Sequence, residues 1–272
     1  MNRDRNAKLQ FRAVAAVLVA VTALVPVGGC VSLGAGDGPT AATNGPTSND
    51  KALAQAKSLA AEYQNDPNDL KTAMDFATAL SAIGSDTQAL TILKETARLH
   101  PQDREAASAY GKALARSGHS DEAVAALARA QALGAPDWRI YSAQGLAHDQ
   151  SGRFEAAHEV YAKAAQLAPQ EPSILNNWGL SLALSGDLNA AETMLVKAAR
   201  LPTADQKVRA NLALVIGLQG RFEEAEQLAA KDLPPAAAQA NVRYLREMLK
   251  QPDSWDLLRG TTDNKTPPQG AA

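Results

Sequence analysis

The chain has 272 residues, 46% of them hydrophobic but only 4% aromatic, with 18 Gly, 14 Pro, one Cys and a formal net charge of −2. That charge argues against a nucleic-acid binder, and a single cysteine excludes both an intramolecular disulfide framework and a cysteine-based zinc site. About a fifth of the residues are Ala, whose small side chains favour helices and let them pack closely, so an all-α protein is expected.

Residues 2–12 carry Arg3, Arg5, Lys8 and Arg12 against Asp4, and Ala13 to Val25 is a run of thirteen residues without a charge. A membrane-spanning helix needs roughly 20 apolar residues, and this run meets Pro26, Gly28 and Gly29 first. Residues 1–29 therefore read as an export signal. The only cysteine follows at once in Val27-Gly28-Gly29-Cys30, which resembles a bacterial lipobox. The resemblance implies that Cys30 carries covalent lipid as the mature N-terminus; the alternative is a chance cysteine after an ordinary signal. Acyl chains contribute about 0.8 kcal/mol per buried CH₂, so two or three anchor stably. Val31, where inner-membrane lipoproteins carry Asp, implies sorting to the outer membrane, facing the periplasm. Residues 30–49 are otherwise Gly, Pro, Ser, Thr and Asn with almost no large apolar side chain, a composition that reads as a flexible tether of roughly 25 Å. Without the signal the chain has 23 basic and 28 acidic residues, and is mildly acidic.

From Asp50 onward the sequence repeats with a period of 34. Gly84, Gly118, Gly152, Gly186 and Gly220 keep that spacing without an insertion, as do Ala89, Ala123, Ala157, Ala191 and Ala225. Four residues beyond each alanine lie Leu93, Leu127, Tyr161, Leu195 and Ala229, and seven before each glycine lie Ala77, Gly111, Gly145, Gly179 and Ala213. Phe76, Ala77 and Leu80 form an apolar stripe at helical spacing that ends at Gly84, where a second helix begins. Its N-terminal caps and first turns are expected at Ser120-Asp121-Glu122, Gly186-Asp187 and Arg221-Phe222-Glu223-Glu224. Prolines at 67, 101, 136, 169 and 202 close the units.

These residues resemble the tetratricopeptide repeat, the third and fourth copies most closely. The fold expected is an all-α solenoid of helix-turn-helix repeats at about 70–103, 104–137, 138–171, 172–205 and 206–234. A helix at about 50–65 precedes them and a capping helix at 235–250 follows, making one domain over 50–250 with a polar tail at 251–272. Pro234 and Pro235 leave the end of the fifth copy open.

Catalytic signatures are missing: no H-E-x-x-H, no G-x-S-x-G, no phosphate-binding glycine loop before a helix. His148 and His158, ten apart, could meet Asp149 and Glu159, but the spacing matches no metal motif. No enzyme activity, metal, cofactor or small-molecule substrate is expected beyond the lipid on Cys30. Trp138, Trp178 and Tyr141 read as core.

In the tetratricopeptide repeat a concave groove is lined by positions 2, 5, 6, 9, 12 and 13 of the first helix, counting Leu70, Arg104, Trp138, Pro172 and Gln206 as position 1. Position 6 gives Asn177 and Asn211, and an Asn that both donates and accepts can hydrogen-bond an extended peptide backbone. Asn176, Arg139 and Lys207 lie nearby. Position 9 supplies Leu146, Leu180 and Leu214, and position 13 Leu184 and Leu218. The candidate binding residues are therefore Asn176, Asn177, Asn211, Arg139, Lys207, Leu180 and Leu214. Two alternatives stay open: the asparagines only cap or solvate the groove, or the chain's own tail, with Trp255, Leu257 and Leu258, covers the leucines.

The stretches Leu175-Asn176-Asn177-Trp178-Gly179-Leu180, Arg209-Ala210-Asn211-Leu212-Ala213-Leu214, Gln219-Gly220-Arg221-Phe222 and Asn241-Val242-Arg243-Tyr244-Leu245 are similar to TadD, the tetratricopeptide lipoprotein family of the Flp (tight adherence) pilus system. The resemblance implies a pilotin-like adapter that binds a secretin or another pilus-assembly subunit and brings no catalytic residues. A general envelope scaffold recruiting peptidoglycan enzymes or outer-membrane complexes is the alternative.

Overall fold

A computed structural model describes residues 48–250. The signal, Cys30, most of the tether and the tail lie outside the described residues. Those described form twelve α-helices and no strand. They fall into two compact units divided at Ala135–Pro136. The first unit contains α1 (Ser48–Asn65), α2 (Leu70–Ala82), α3 (Asp86–Leu99), α4 (Arg104–Arg116) and α5 (Ser120–Ala132). The second contains α6 (Trp138–Gln150), α7 (Phe154–Leu167), α8 (Pro172–Leu184), α9 (Leu188–Ala199), α10 (Gln206–Leu218), α11 (Phe222–Ala229) and α12 (Pro235–Lys250). Among the described residues no helix is long and apolar enough to cross a membrane.

Each hairpin starts in the same way. An acidic side chain precedes the first helix and accepts a hydrogen bond from an orphan N–H of its first turn. Asp69 takes Thr72 N–H at 2.7 Å, Asp103 takes Ala106 N–H at 2.7 Å, and Asp137 takes Arg139 N–H at 2.8 Å. Glu171 takes Ser173 N–H at 3.2 Å and Asp205 takes Val208 N–H at 3.0 Å. These five caps recur every 34 residues, and their negative charge also suits the helix N-terminus.

The turn between the two helices of a hairpin depends on glycine. Gly84, Gly118, Gly152, Gly186 and Gly220 have φ between 72° and 95°, the left-handed region that a Cβ penalises. The residue after each glycine donates its N–H back to the carbonyl five residues earlier, as in Ser85 to Leu80 at 2.8 Å and Arg153 to His148 at 2.9 Å. This is the Schellman closure, which satisfies the last carbonyls of the first helix. The same residue serves as N-cap of the second helix, at Asp187 and Arg221 within the expected stretches and at His119 one residue before its own. α5 starts from His119 and α11 from Arg221, neither with a side-chain cap, and only Asp187 caps through its side chain, taking Ala190 N–H at 2.9 Å. Asp121 and Glu122 lie in the first turn of α5 and Glu223 and Glu224 in that of α11, as the sequence predicts.

The two helices of a hairpin touch at position 8 of the first. A Cβ built on Gly145 would lie 2.5 Å from the Tyr161 ring, one on Gly111 2.7 Å from Leu127, and one on Gly179 2.7 Å from Leu195. In these three hairpins glycine at position 8 admits the large side chain at position 24, whereas the first repeat pairs Ala77 with Leu93. Around these contacts the first unit buries Ala77, Leu80, Ala89, Leu93 and Ala113, and α1 joins it through Tyr63, whose ring centroid is 5.6 Å from that of Phe76. The second unit buries Leu195, Leu212, Val215, Ile216 and Val242.

α12 closes the second unit. Leu245 packs on Leu214 and Leu218 with Met248 and Leu249 beside it, and a Cβ on Gly217 would collide with Leu245. Ahead of α12, Arg209 grips Asp232 with two bonds of 2.6 Å, which holds the Asp232 carboxyl below its usual range and fixes the loop that follows α11.

Gly152→Val places a β-branched side chain at φ 72°, in the left-handed region, so it carries a backbone-strain penalty. Urea denaturation should show a loss of about 1–2 kcal/mol or more, whereas Gly145→Ala should destabilise by pushing against Tyr161 and be relieved by Tyr161→Leu.

Candidate protein-binding surface

In the second unit α6, α8 and α10 lie side by side, and this row of first helices carries every candidate residue placed within the described part of the chain. The asparagines are not independent of one another. Asn211 Nδ2 donates to Asn176 Oδ1 at 2.8 Å, Asn176 Nδ2 donates to Asn177 Oδ1 at 3.3 Å, and Asn177 Nδ2 donates to Ser142 Oγ at 3.4 Å. Two of these bonds share one geometry: position 6 of a repeat donates to position 5 of the repeat before it. The result is a polar ladder that stitches α6, α8 and α10 together. Asn176 and Asn211 are buried, with 4% and 5% exposure, while Asn177 is half-buried.

The leucines divide similarly. Leu214 and Leu218 are buried under Leu245 of α12, whereas Leu180 and Leu184 are half-buried and Leu146 is 38% exposed. Arg139 is exposed, with its guanidinium 4.6 Å above the Trp138 ring, a cation–π contact that holds it along the helix. Lys207 is exposed in the first turn of α10. Asn176, Asn211 and Leu214 therefore lie outside the open surface, because neighbouring helices occupy the space a ligand would need. Arg139, Leu146, Asn177, Leu180, Leu184 and Lys207 remain at least partly accessible: leucines at positions 9 and 13, Arg139 and Lys207 in the first turns of α6 and α10, Arg139 lying 4.0 Å from the Asp137 carboxylate, and one amide retaining free hydrogen-bonding capacity. Trp138 and Trp178 are each half-buried.

Among the described residues no group of three or more His, Cys, Asp or Glu side chains could hold a metal ion. His148, Asp149, His158 and Glu159 do not assemble one. Asp149 is buried and accepts from Tyr161 Oη at 3.0 Å and Ser181 Oγ at 2.5 Å. Burial pushes its carboxyl up to about 7, against the opposing pull of the Ser181 and Tyr161 hydroxyls. Burial also drives the Tyr161 phenol well above its usual value, reinforced by Asp149.

The first unit has a separate cleft of about 470 Å³ that the 34-residue pattern does not announce. Its floor is Ala97, Ala107, Leu114, Ala125 and Ala126, and its rim carries Lys94, Arg98, Arg129 and Glu122 around Tyr110. Burial raises the Tyr110 phenol, with Glu122 adding to the shift. A run of alanines in the second helices is the sequence signal for such a shallow channel.

Residues 138–171 match the sequence pattern described as tetratricopeptide repeat. The fold is similar to that of TTC0263, a thermophilic tetratricopeptide-repeat protein of Thermus thermophilus, at 23% identity and TM-score 0.56, over 66% of this chain and 98% of that one. It is also similar to a chain of the Cut9–Hcn1 hetero-tetramer of the APC/C (17% identity, TM-score 0.58, 79% of this chain and 46% of that one). A third likeness is to residues 41-end of MamA from Desulfovibrio magneticus RS-1 (22% identity, TM-score 0.50, 58% of this chain and 93% of that one). No curated protein matches the chain. The described helices are thus tetratricopeptide-repeat hairpins, an architecture whose stacked repeats offer extended surfaces to other proteins.

Asn211→Ala should leave the Asn176 carbonyl oxygen buried without its donor and lower the unfolding free energy by about 1–3 kcal/mol in urea titration. Asn177→Ala, at a half-buried site, should cost less than half as much.

Proposed function

We propose that the chain is a non-enzymatic adapter, anchored to the outer membrane through lipid on Cys30 and facing the periplasm. In this reading it captures a segment of a pilus-assembly protein, a secretin or another subunit of the Flp system, on the face formed by α6, α8 and α10. The observation that supports the reading is the accessible leucines of α6 and α8, Leu146 exposed and Leu180 and Leu184 half-buried, on a row of helices that also carries exposed Arg139 and Lys207. Leucines on two neighbouring helices together with basic side chains on the same row suit an extended or helical segment with an apolar edge and acidic residues. Asn177 would bond that segment's backbone, while the buried Asn176 and Asn211 hold Asn177 and its helix in place.

The anchor rests on Val27-Gly28-Gly29-Cys30, and the choice of partner on the likeness of the Asn176–Leu180 and Asn211–Leu214 stretches to the pilus lipoprotein family. A tether of about twenty residues leaves the repeats free to meet a partner near the membrane surface.

Two measurements test this. Cys30→Ala should move the protein from the membrane fraction to the soluble fraction with unchanged circular dichroism; a variant that remains membrane-bound contradicts the anchor. Leu146→Glu combined with Leu180→Glu should weaken capture of the secretin or pilus subunit in envelope crosslinking by about 10-fold or more, since apolar anchors at the centre of an interface dominate its affinity. Capture at the original level would move the binding face elsewhere.

A further inference from the structure

Asp149, Tyr161 and Ser181 each depart from the repeat pattern, and they depart together. At position 12 the second, fourth and fifth repeats carry Ala115, Ala183 and Gly217, where the third carries Asp149. At position 24 the first, second and fourth carry Leu93, Leu127 and Leu195, where the third carries Tyr161. At position 10 the first three carry Ala79, Ala113 and Ala147 and the fifth carries Val215, where the fourth carries Ser181. The first repeat carries Ser81 at position 12, so it is the buried carboxyl rather than polarity as such that is particular to the third; the three polar side chains meet at one point, joining α6, α7 and α8. Packing alone does not call for them, because apolar residues fill the same positions in the neighbouring hairpins. Replacing a buried polar cluster by apolar groups of similar volume is commonly neutral or stabilising.

We propose that Asp149, Tyr161 and Ser181 form a protonation-controlled joint between the third and fourth repeats, closed while the carboxyl is neutral and loosened when it ionises. The joint lies on the same two helices, α6 and α8, that present Leu146 and Leu180, so its state sets the spacing of that face. This last step rests on the binding surface proposed above; the titration of the joint does not.

The neutral carboxyl can donate to Ser181 Oγ and accept from Tyr161 Oη, with the Ser181 hydrogen turning to the backbone of its own helix, as helical serines commonly do. The ionised carboxylate accepts both hydroxyls but carries a buried charge whose bonded partners are neutral. The surroundings supply little compensation. On α6 the adjacent ionisable group is His148. On α7 they are Glu155, His158, Glu159, Tyr161 and Lys163, of which Glu155, Glu159 and Lys163 are exposed. His158 is half-buried near the Ser181 backbone, and its own burial holds the imidazole below the ordinary value, disfavouring a cation there. α8 has no ionisable side chain. The result is a carboxyl pushed up to about 7 by burial.

The sign follows from linkage. A carboxyl whose native-state value stands above its unfolded value binds its proton more tightly when folded. Its contribution to stability is complete below the unfolded value near 4 and is lost as pH rises through about 7. His158, with a lowered value, acts in the opposite direction and remains present in the comparison below.

The test follows the carbon-13 carboxyl signal of Asp149 in the full chain. It should titrate near neutrality while exposed carboxyls titrate at about pH 4, and Tyr161→Phe, which removes one donor to the charged form, should move its midpoint upward. The methyl signals of Leu146 and Leu180 should shift with the same midpoint. An Asp149 signal that titrates at about pH 4 overturns the joint; a carboxyl that titrates near 7 with unmoved leucine methyls overturns its link to the surface. Neither reading uses a partner, so a failure of partner capture is scored separately. The triple variant Asp149→Ala, Tyr161→Leu, Ser181→Ala installs the residues of neighbouring repeats. Relative to it, the wild-type urea midpoint should fall between about pH 5.5 and about pH 8. Parallel pH dependences of the two proteins also overturn the joint.

Discussion

In the second, third and fourth hairpins the close approach of the two helices at position 8 depends on glycine there facing a large side chain at position 24. Glycine faces Leu127, Tyr161 or Leu195 in the second, third and fourth repeats, with room for no Cβ. The fifth repeat carries Ala213 and Ala229 at these positions, a small pair in place of a minimal and a large one. Because the position 24 side chain covers the partner backbone, it also decides which residues beside it are shut away from water. In the third repeat that side chain is Tyr161, whose hydroxyl donates to the buried Asp149.

The row of first helices in the second unit shows two uses of polar residues. The asparagine ladder makes repeat-to-repeat contacts with neutral amides, in which each donor finds an acceptor at a fixed step along the stack. The Asp149 cluster makes a contact of the same kind with an ionisable group. Amides give register that is indifferent to pH; a carboxyl gives register that is not. The ladder joins α6, α8 and α10, and the carboxyl cluster joins α6, α7 and α8.

Much of this architecture was legible before any coordinates, because a solenoid repeats its constraints. The glycines at 84, 118, 152, 186 and 220 report a backbone conformation open to few other residues, and the alanines at 89 through 225 report helix contact. The acidic caps at 69, 103, 137, 171 and 205 recur just as regularly, but a mixture of Asp and Glu on the surface resembles ordinary solvated charge. The site was less legible for a physical reason. Position 6 of a groove helix can face a ligand or the preceding helix, and an asparagine suits both; whether it is buried depends on the residue 35 places earlier, Ser142 or Asn176, having a free acceptor. Leu214 reads as part of the same strip as Leu180, and only the packing of Leu245 separates them. Sequence periodicity describes what repeats share, whereas the polar trio at 149, 161 and 181 is defined by breaking it.

A stack of hairpins has no built-in limit, since each one leaves an apolar flank suited to another like itself. In this chain Leu214 and Leu218 form such a flank, and α12 occupies it with Leu245 while turning a polar outer surface, including Arg243, Arg246 and Glu247, to solvent. Arg209 and Asp232 fix the approach of that helix from the side. α12 is in this sense a full stop: it gives the second unit a finite length, and it keeps the open end of one molecule from serving as the template for the next.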